Sequence, residues 1–135
     1  MPRNLYVNLP VRDLARSVDF FSALGFAFNP VFTDENATCM IVNDGTSVML
    51  LVESYFATFT RKPVADARAT TETLLALSVD SRAEVDDFVA KALTLGAVEY
   101  AEPRDHGFMY QRGIADLDGH QWEVFHMDES RFPGA

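Results

Sequence analysis

The chain reads as one run of structural signals written twice. In the first half, Leu5 to Leu9 alternates Leu5, Val7 and Leu9 with Tyr6 and Asn8, the period of a half-buried strand, and Pro10 is expected to end it. Asp13 can cap a helix from Leu14 to Leu24, with Val18, Phe21 and Leu24 on its buried face and Gly25 as its stop. Phe26 to Phe28, Thr38 to Val42 and Ser47 to Val52 read as strands. Asn43-Asp44-Gly45 reads as a hairpin turn, because Asn and Gly tolerate positive φ. The order then returns. Leu74 to Val79 is an apolar strand, and Ser81 with Glu84 forms a capping-box pattern. A helix runs on to Leu95, burying Val85, Phe88, Val89 and Ala92, and Gly96 stops it. Ala97 to Tyr100, Phe108 to Ala115 and Gln121 to Phe125 are strands, the last two joined by an Asp118-Gly119 turn.

The two readings align residue on residue. Val11 falls on Val79 and Phe20 on Phe88 at an offset of 68, Gly25 on Gly96 at 71, and Asp44-Gly45 on Asp118-Gly119 at 74. Small insertions explain the drift. A period of about 70 residues is too long for a solenoid and fits a tandem duplication. The expected fold class is α+β: two tandem βαβββ modules forming a curled mixed sheet. The modules span 4–53 and 74–128 of a single 135-residue domain, with a linker at 54–73. The linker begins with an aromatic stretch, Ser54 to Phe59, that suits a short helix or a strand extension, and Arg61-Lys62-Pro63 breaks it.

Charge excludes some partners. The net charge is −9, against the clustered Lys and Arg that nucleic acid or an anionic membrane demands. The start of the chain carries no apolar signal core, and no apolar run approaches the ~20 residues of a membrane span. A single cysteine, Cys39, allows no internal disulfide. The expectation is a cytoplasmic globular protein.

The stretch Leu9-Pro10-Val11-Arg12-Asp13-Leu14-Ala15-Arg16-Ser17-Val18-Asp19-Phe20-Phe21, then Gly25-Phe26, and the closing Asp116-Leu117-Asp118-Gly119-His120-Gln121-Trp122-Glu123 carry a resemblance. With the duplication, they make the chain resemble the vicinal oxygen chelate superfamily over nearly its whole length. That superfamily includes glyoxalase I, extradiol dioxygenases, and bleomycin and fosfomycin resistance proteins. The resemblance implies a glyoxalase-like fold whose halves enclose one cleft, and a homodimer. It also implies a possible divalent metal, held by His, Gln or Glu on the first and fourth strands of each module.

Carried over position by position, those ligand sites fall on Tyr6, with Asn8 on the same side, on Leu50 or Met49, on Leu74, and on Glu123. Glu123 alone is a competent ligand, and one carboxylate does not hold a catalytic metal. The reading is therefore a small-molecule-binding glyoxalase and bleomycin-resistance-like protein with a degenerate metal site. The alternative is a metal-dependent glyoxalase-like lyase or dioxygenase with Glu123 as ligand or general base. Whether the chain is an enzyme stays open. Glu123 is the catalytic candidate. Tyr6, Asn8, Leu50, Leu74, His106, Tyr110 and Arg112 are the ligand-binding candidates. A structural account of Glu123 is that it pairs with Tyr6, Asn8 or Arg112 and closes a polar hole. Alternation puts His126 on the face opposite Glu123 and makes Trp122 core. It also groups His106, Phe108, Tyr110 and Arg112 on one face, with Gly107, Met109 and Gln111 on the other.

Overall fold

A computed structural model describes residues 3–133. The chain divides into two compact units, Met1–Ala65 and Asp66–Ala135. In the first, β1 (Leu5–Val11) is followed by α1 (Leu14–Ala23), β2 (Ala27–Asn29), β3 (Ala37–Asn43) and β4 (Thr46–Val52). These strands form one mixed sheet in the order β1-β4-β3-β2, with β1 parallel to β4. A short helix α2 (Glu53–Phe56) and a 3-10 turn at Ala57–Phe59 follow, where Tyr55 and Phe59 meet edge to face at 5.0 Å.

The second unit repeats the plan. β5 (Leu74–Ser78), α3 (Arg82–Thr94), β6 (Val98–Glu99), β7 (Arg104–Asp105), β8 (Met109–Ala115) and β9 (Gln121–Met127) form a sheet ordered β5-β9-β8-β6, with β7 also paired to β8. Again the first strand lies parallel to the last. Each half is thus a βαβββ module with its own mixed sheet, and β7 is an addition to the second. Among the described residues no helix is long and apolar enough to cross a membrane.

The caps do what their residues dictate. Asp13 accepts from the Arg16 amide at 3.1 Å, and Ser81 accepts from the Glu84 amide at 3.1 Å. Glu84 reaches back to the amide of Asp80, the residue before the cap, at 3.3 Å. Gly25 and Gly96 follow their helices with φ of +101° and +107°, a conformation other residues avoid. One face of each sheet is dry. In the first unit Leu9, Val11, Val48 and Leu50 are buried, together with Ser17, Phe20 and Phe21 of α1. In the second, Ile114, Trp122 and Val124 are buried, together with Val85, Val89 and Ala92 of α3. Each large apolar side chain removed from water in this way stabilises by about 1.5–3 kcal/mol.

Three local expectations change. Pro10 does not end β1, which runs on to Val11 with Pro10 opposite Leu51. β1 is an edge strand, where a missing N–H costs no ladder bond. The buried face of α1 centres on Ser17, Phe20 and Phe21, with Val18 and Leu24 half-buried beside it. The turn at Asn43-Asp44-Gly45 uses no positive φ; the Asn43 side chain accepts from the Gly45 amide at 3.0 Å instead.

Candidate functional site

Strand register settles which side chains share a face. Asn8 stands opposite Met49 in the first unit, and Ala76 stands opposite Glu123 in the second. These are the same offsets, 68 and 74, that align the repeats. The counterpart of Glu123 is therefore Met49, and Leu50 corresponds to Val124. Leu50 and Val124 are both 0% exposed on the helix side of their sheets. The expectation for Leu50 is corrected accordingly: it is a core residue, and Met49 shares the face of Tyr6 and Asn8. Tyr6 is 50% exposed at one end of that face and Asn8 is exposed beside it, while Ala37, Cys39 and Leu51 of the same face are buried.

In the second unit the open face carries Leu74, Ala76, Gln121, Glu123, Gln111 and Gly113. Leu74, 51% exposed, stands opposite Gln121, one same-face position from Glu123. Glu123 is half-buried, and its Oε2 accepts from Gln111 Nε2 at 3.0 Å. Directly across from Glu123 on β8 is Gly113, and the ring of Tyr100 covers it. Burial, and then the negative charge of Glu123, raise the Tyr100 pKa. Tyr100, Glu102, Arg104, Gln111, Gly113 and Glu123 line a small cleft of about 30 Å³.

Tyr110 and Arg112 lie on the other face, against α3. The Tyr110 hydroxyl donates to Asp86 at 2.6 Å. Arg112 makes a two-pronged pair with Glu99, at 2.8 and 2.9 Å, and a third bond to Asp86 at 3.0 Å. Hydrogen bonding to Arg112 lowers the Glu99 pKa, and the Tyr110 hydroxyl and Arg112 lower that of Asp86. Neither Tyr110 nor Arg112 shares a sheet face with Glu123, and the place open to Arg112 as its partner is taken by Gln111. Arg82 completes this face, bidentate to Asp105 at 2.8 and 2.9 Å and 5.1 Å from the Tyr110 ring centre. His106 is exposed, in the turn from β7 to β8 that Gly107 makes with a φ of +80°. His126 lies on the helix side, its Nδ1 3.1 Å from the Val79 carbonyl. Trp122 is core, and its indole N–H donates to the buried Asp116 at 2.9 Å.

A larger cleft of about 360 Å³ lies on the helix side, among Ser81, Arg82, Phe108, His126, Asp128 and Arg131. Asp80 and Asp128 offset its two arginines, and Arg82 is engaged by Asp105. No charge of one sign dominates it, so it singles out no ligand chemistry.

The donors fit a chelated metal poorly. The four carried-over positions offer one carboxylate, one phenol and two apolar side chains, and leucine or methionine does not suit a hard divalent cation. Among the described residues no three His, Cys, Asp or Glu side chains gather closely enough to hold a metal ion. Tyr100 and Gln111 flank Glu123, and the sequence pattern does not single them out. Alternation does separate Gln111 from Tyr110 and Arg112. Pairing Glu123 across the Asp118-Gly119 turn would have found Gln111 two positions from Gly113.

Residues 3–43 match the family described as bleomycin resistance protein-like N-terminal. No curated protein matches the chain. A hypothetical protein of S. aureus is 27% identical, superposes with a TM-score of 0.80, and is matched over 93% of this chain and 94% of its own. A glyoxalase/bleomycin resistance protein/dioxygenase family enzyme from Burkholderia phytofirmans is 19% identical, with a TM-score of 0.75 over 90% of this chain and 96% of that one. A bleomycin resistance determinant encoded on the transposon Tn5 is 19% identical, with a TM-score of 0.63 over 94% and 99%. The resemblance to the vicinal oxygen chelate superfamily is therefore one of fold over nearly the whole chain, and of sequence over residues 3–43.

Proposed function

We propose that this chain, with its glyoxalase and bleomycin resistance fold, binds a small molecule through the open face of its second sheet. Glu123 is the group that engages a cationic or hydrogen-bond-donating part of the ligand. The observation that carries this reading is the Gln111–Glu123 pair. Gln111 holds one carboxylate oxygen at 3.0 Å, in a cleft where Glu102 and Arg104 are the other charged side chains. A hydrogen bond to a charged group is worth about 1.5–3 kcal/mol, enough to fix the carboxylate's orientation. Metal-assisted lyase or dioxygenase chemistry is the less favoured reading, because the donor set suits no chelate.

The same proposal takes the chain to be a cytoplasmic homodimer. An acidic chain with no membrane-crossing helix among its described residues suits the first, and the dimeric habit implied by the fold suits the second. The test is a thermal-shift screen of amines, amidines and planar cationic metabolites on the wild type and on Glu123→Gln. A ligand at 100 times its Kd stabilises the native state by about 2.7 kcal/mol, a clear rise in Tm. The rise is expected in the wild type and reduced by at least half in Glu123→Gln. Equal shifts in both proteins rule Glu123 out as the contact.

A further inference from the structure

Gly113 sits in the middle of β8, where a glycine weakens a strand by about 0.5–1 kcal/mol relative to alanine. The reason it is there is visible. A Cβ at 113 would lie 2.5 Å from Tyr100 Cζ, 2.6 Å from its hydroxyl oxygen and 2.8 Å from Cε2. The Tyr100 ring fills the space that any side chain at 113 would claim. The Tyr100 amide also donates to the Gly113 carbonyl at 3.3 Å, tying the start of the following loop to the same residue. Gly113 is the cross-strand partner of Glu123, so the ring lies on the bare backbone next to the carboxylate. The space left beside it is about 30 Å³. That is the share of roughly one water in the liquid, whereas ligand pockets run to about 300 Å³ and more.

We propose that Tyr100 is the gate and specificity-determining residue of the Glu123 site: its ring occupies a flat seat on Gly113, and a ligand reaches Glu123 by taking that seat. The inference rests on the reading of Glu123 as the ligand-engaging group and names the ligand class. The seat is floored by bare backbone and shaped to an aromatic ring. The charged residues lining the cleft are Glu102, Glu123 and Arg104, an excess of negative charge. The matching ligand is a flat ring carrying a cationic hydrogen-bond donor, an amidine or an aromatic amine. The Tyr100 side chain swings off Gly113 while its amide stays bonded to the Gly113 carbonyl, and the ligand ring replaces it over Gly113 with its cation on Glu123.

Benzamidinium is the probe. Titration of the wild type is expected to move the Tyr100 ring-proton resonances as that ring leaves the Gly113 backbone. Binding with those resonances unmoved overturns the gate. Tyr100→Ala opens the seat and is expected to bind benzamidinium roughly tenfold tighter than the wild type, read as the Kd from the same NMR titration. Tyr100→Leu, a milder change if the alanine variant folds poorly, moves the same way by about threefold. No tightening in either variant overturns the proposal. Adding Glu123→Gln to Tyr100→Ala is expected to cost about tenfold. If tightening occurs but Glu123→Gln changes nothing, the gate stands and Glu123 as the ligand contact falls. If no variant binds benzamidinium at millimolar concentration, the flat-cation gate is overturned, and the Glu123 reading is judged separately by the thermal-shift screen.

Discussion

At the scale of single residues, the sequence showed faces more clearly than partners. Alternation along β8 separated Gln111 from Tyr110 and Arg112, and the structure keeps that separation. It could not say which face meets Glu123, because that depends on register across the turn, where one residue exchanges Leu50 for Met49 and Val124 for Glu123. Asp116 is a second case. It reads as one polar residue in a closing pattern, yet it is buried. Its Oδ1 accepts from the Asp118 and His120 amides at 3.0 Å each, and its Oδ2 from the Trp122 indole at 2.9 Å. One carboxylate thus holds the β8–β9 turn and fixes the rotamer of the largest core side chain. Asp116→Ala leaves three donors without their acceptor. At about 1–3 kcal/mol for a buried unsatisfied group, with water reaching some of them, a loss of about 3 kcal/mol is expected in urea denaturation. A loss below about 0.5 kcal/mol, the ordinary range of a surface change, would mean that water replaces the carboxylate at little cost.

At the scale of elements, most of the fold was legible, because capping and stop signals are local physics. Asp13, Ser81, Glu84, Gly25 and Gly96 each act within a few residues of where they sit. What escaped was set by distant neighbours. β1 continues through Pro10 because it is an edge, and β7 forms because Gly107 folds Arg104–Asp105 back onto β8. The glycines separate two kinds of constraint. Gly25 has a φ of +101°, and a Cβ there would meet nothing within 4 Å, so an alanine faces only backbone strain. Gly119 has a φ of +91°, and a Cβ there would lie 2.8 Å from the Arg68 backbone nitrogen and 2.9 Å from the Ala67 carbonyl carbon. Gly25→Ala is expected to cost about 1 kcal/mol, near the left-handed penalty of an ordinary residue. Gly119→Ala is expected to cost about 2–3 kcal/mol more, since backbone on both sides must shift. Equal costs from denaturant titrations of the two variants would show that the 66–70 segment yields freely to the turn.

At the scale of the whole molecule, duplication fixed one architecture and let the two halves diverge in chemistry. Where the first unit has Thr38 on its helix face, the second has Arg112, by the 74-residue offset that also joins Cys39 to Gly113 and Met49 to Glu123. The buried Thr38 shares a hydrogen bond of 2.9 Å with Thr33, whereas Arg112 organises Glu99 and Asp86. This difference contributes to acid stability through Glu99 and Asp86. Asp86, Glu99, Asp105 and Asp128 all have lowered folded-state pKa values, from hydrogen bonds and nearby positive charge. A lowered carboxylate contributes stability that is present above its unfolded pKa, about 4, and lost as pH falls through the folded value. Asp116 runs the other way. Burial raises its pKa, so its contribution is full below about 4 and declines as pH rises through the raised value. Four groups oppose one, and the chain's net charge of −9 gives way in acid to the positive charge of its 11 Lys and Arg and 3 His. The urea midpoint is therefore expected to fall steadily below about pH 4. Arg112→Met removes the cation that holds Glu99 down and that adds to the Tyr110 hydrogen bond in holding Asp86 down. With the pair's side chains 18% and 22% exposed, it should cost about 1–3 kcal/mol at pH 7. Below the folded pKa values of those two carboxylates the ion pairs are gone in both proteins. The wild-type and Arg112→Met midpoints should then converge as pH falls from 5 toward 2, about the range in which lowered carboxylates take up protons. A constant gap between the two curves over that range would show that Arg112 stabilises the second unit by packing its long side chain, with its charge contributing nothing.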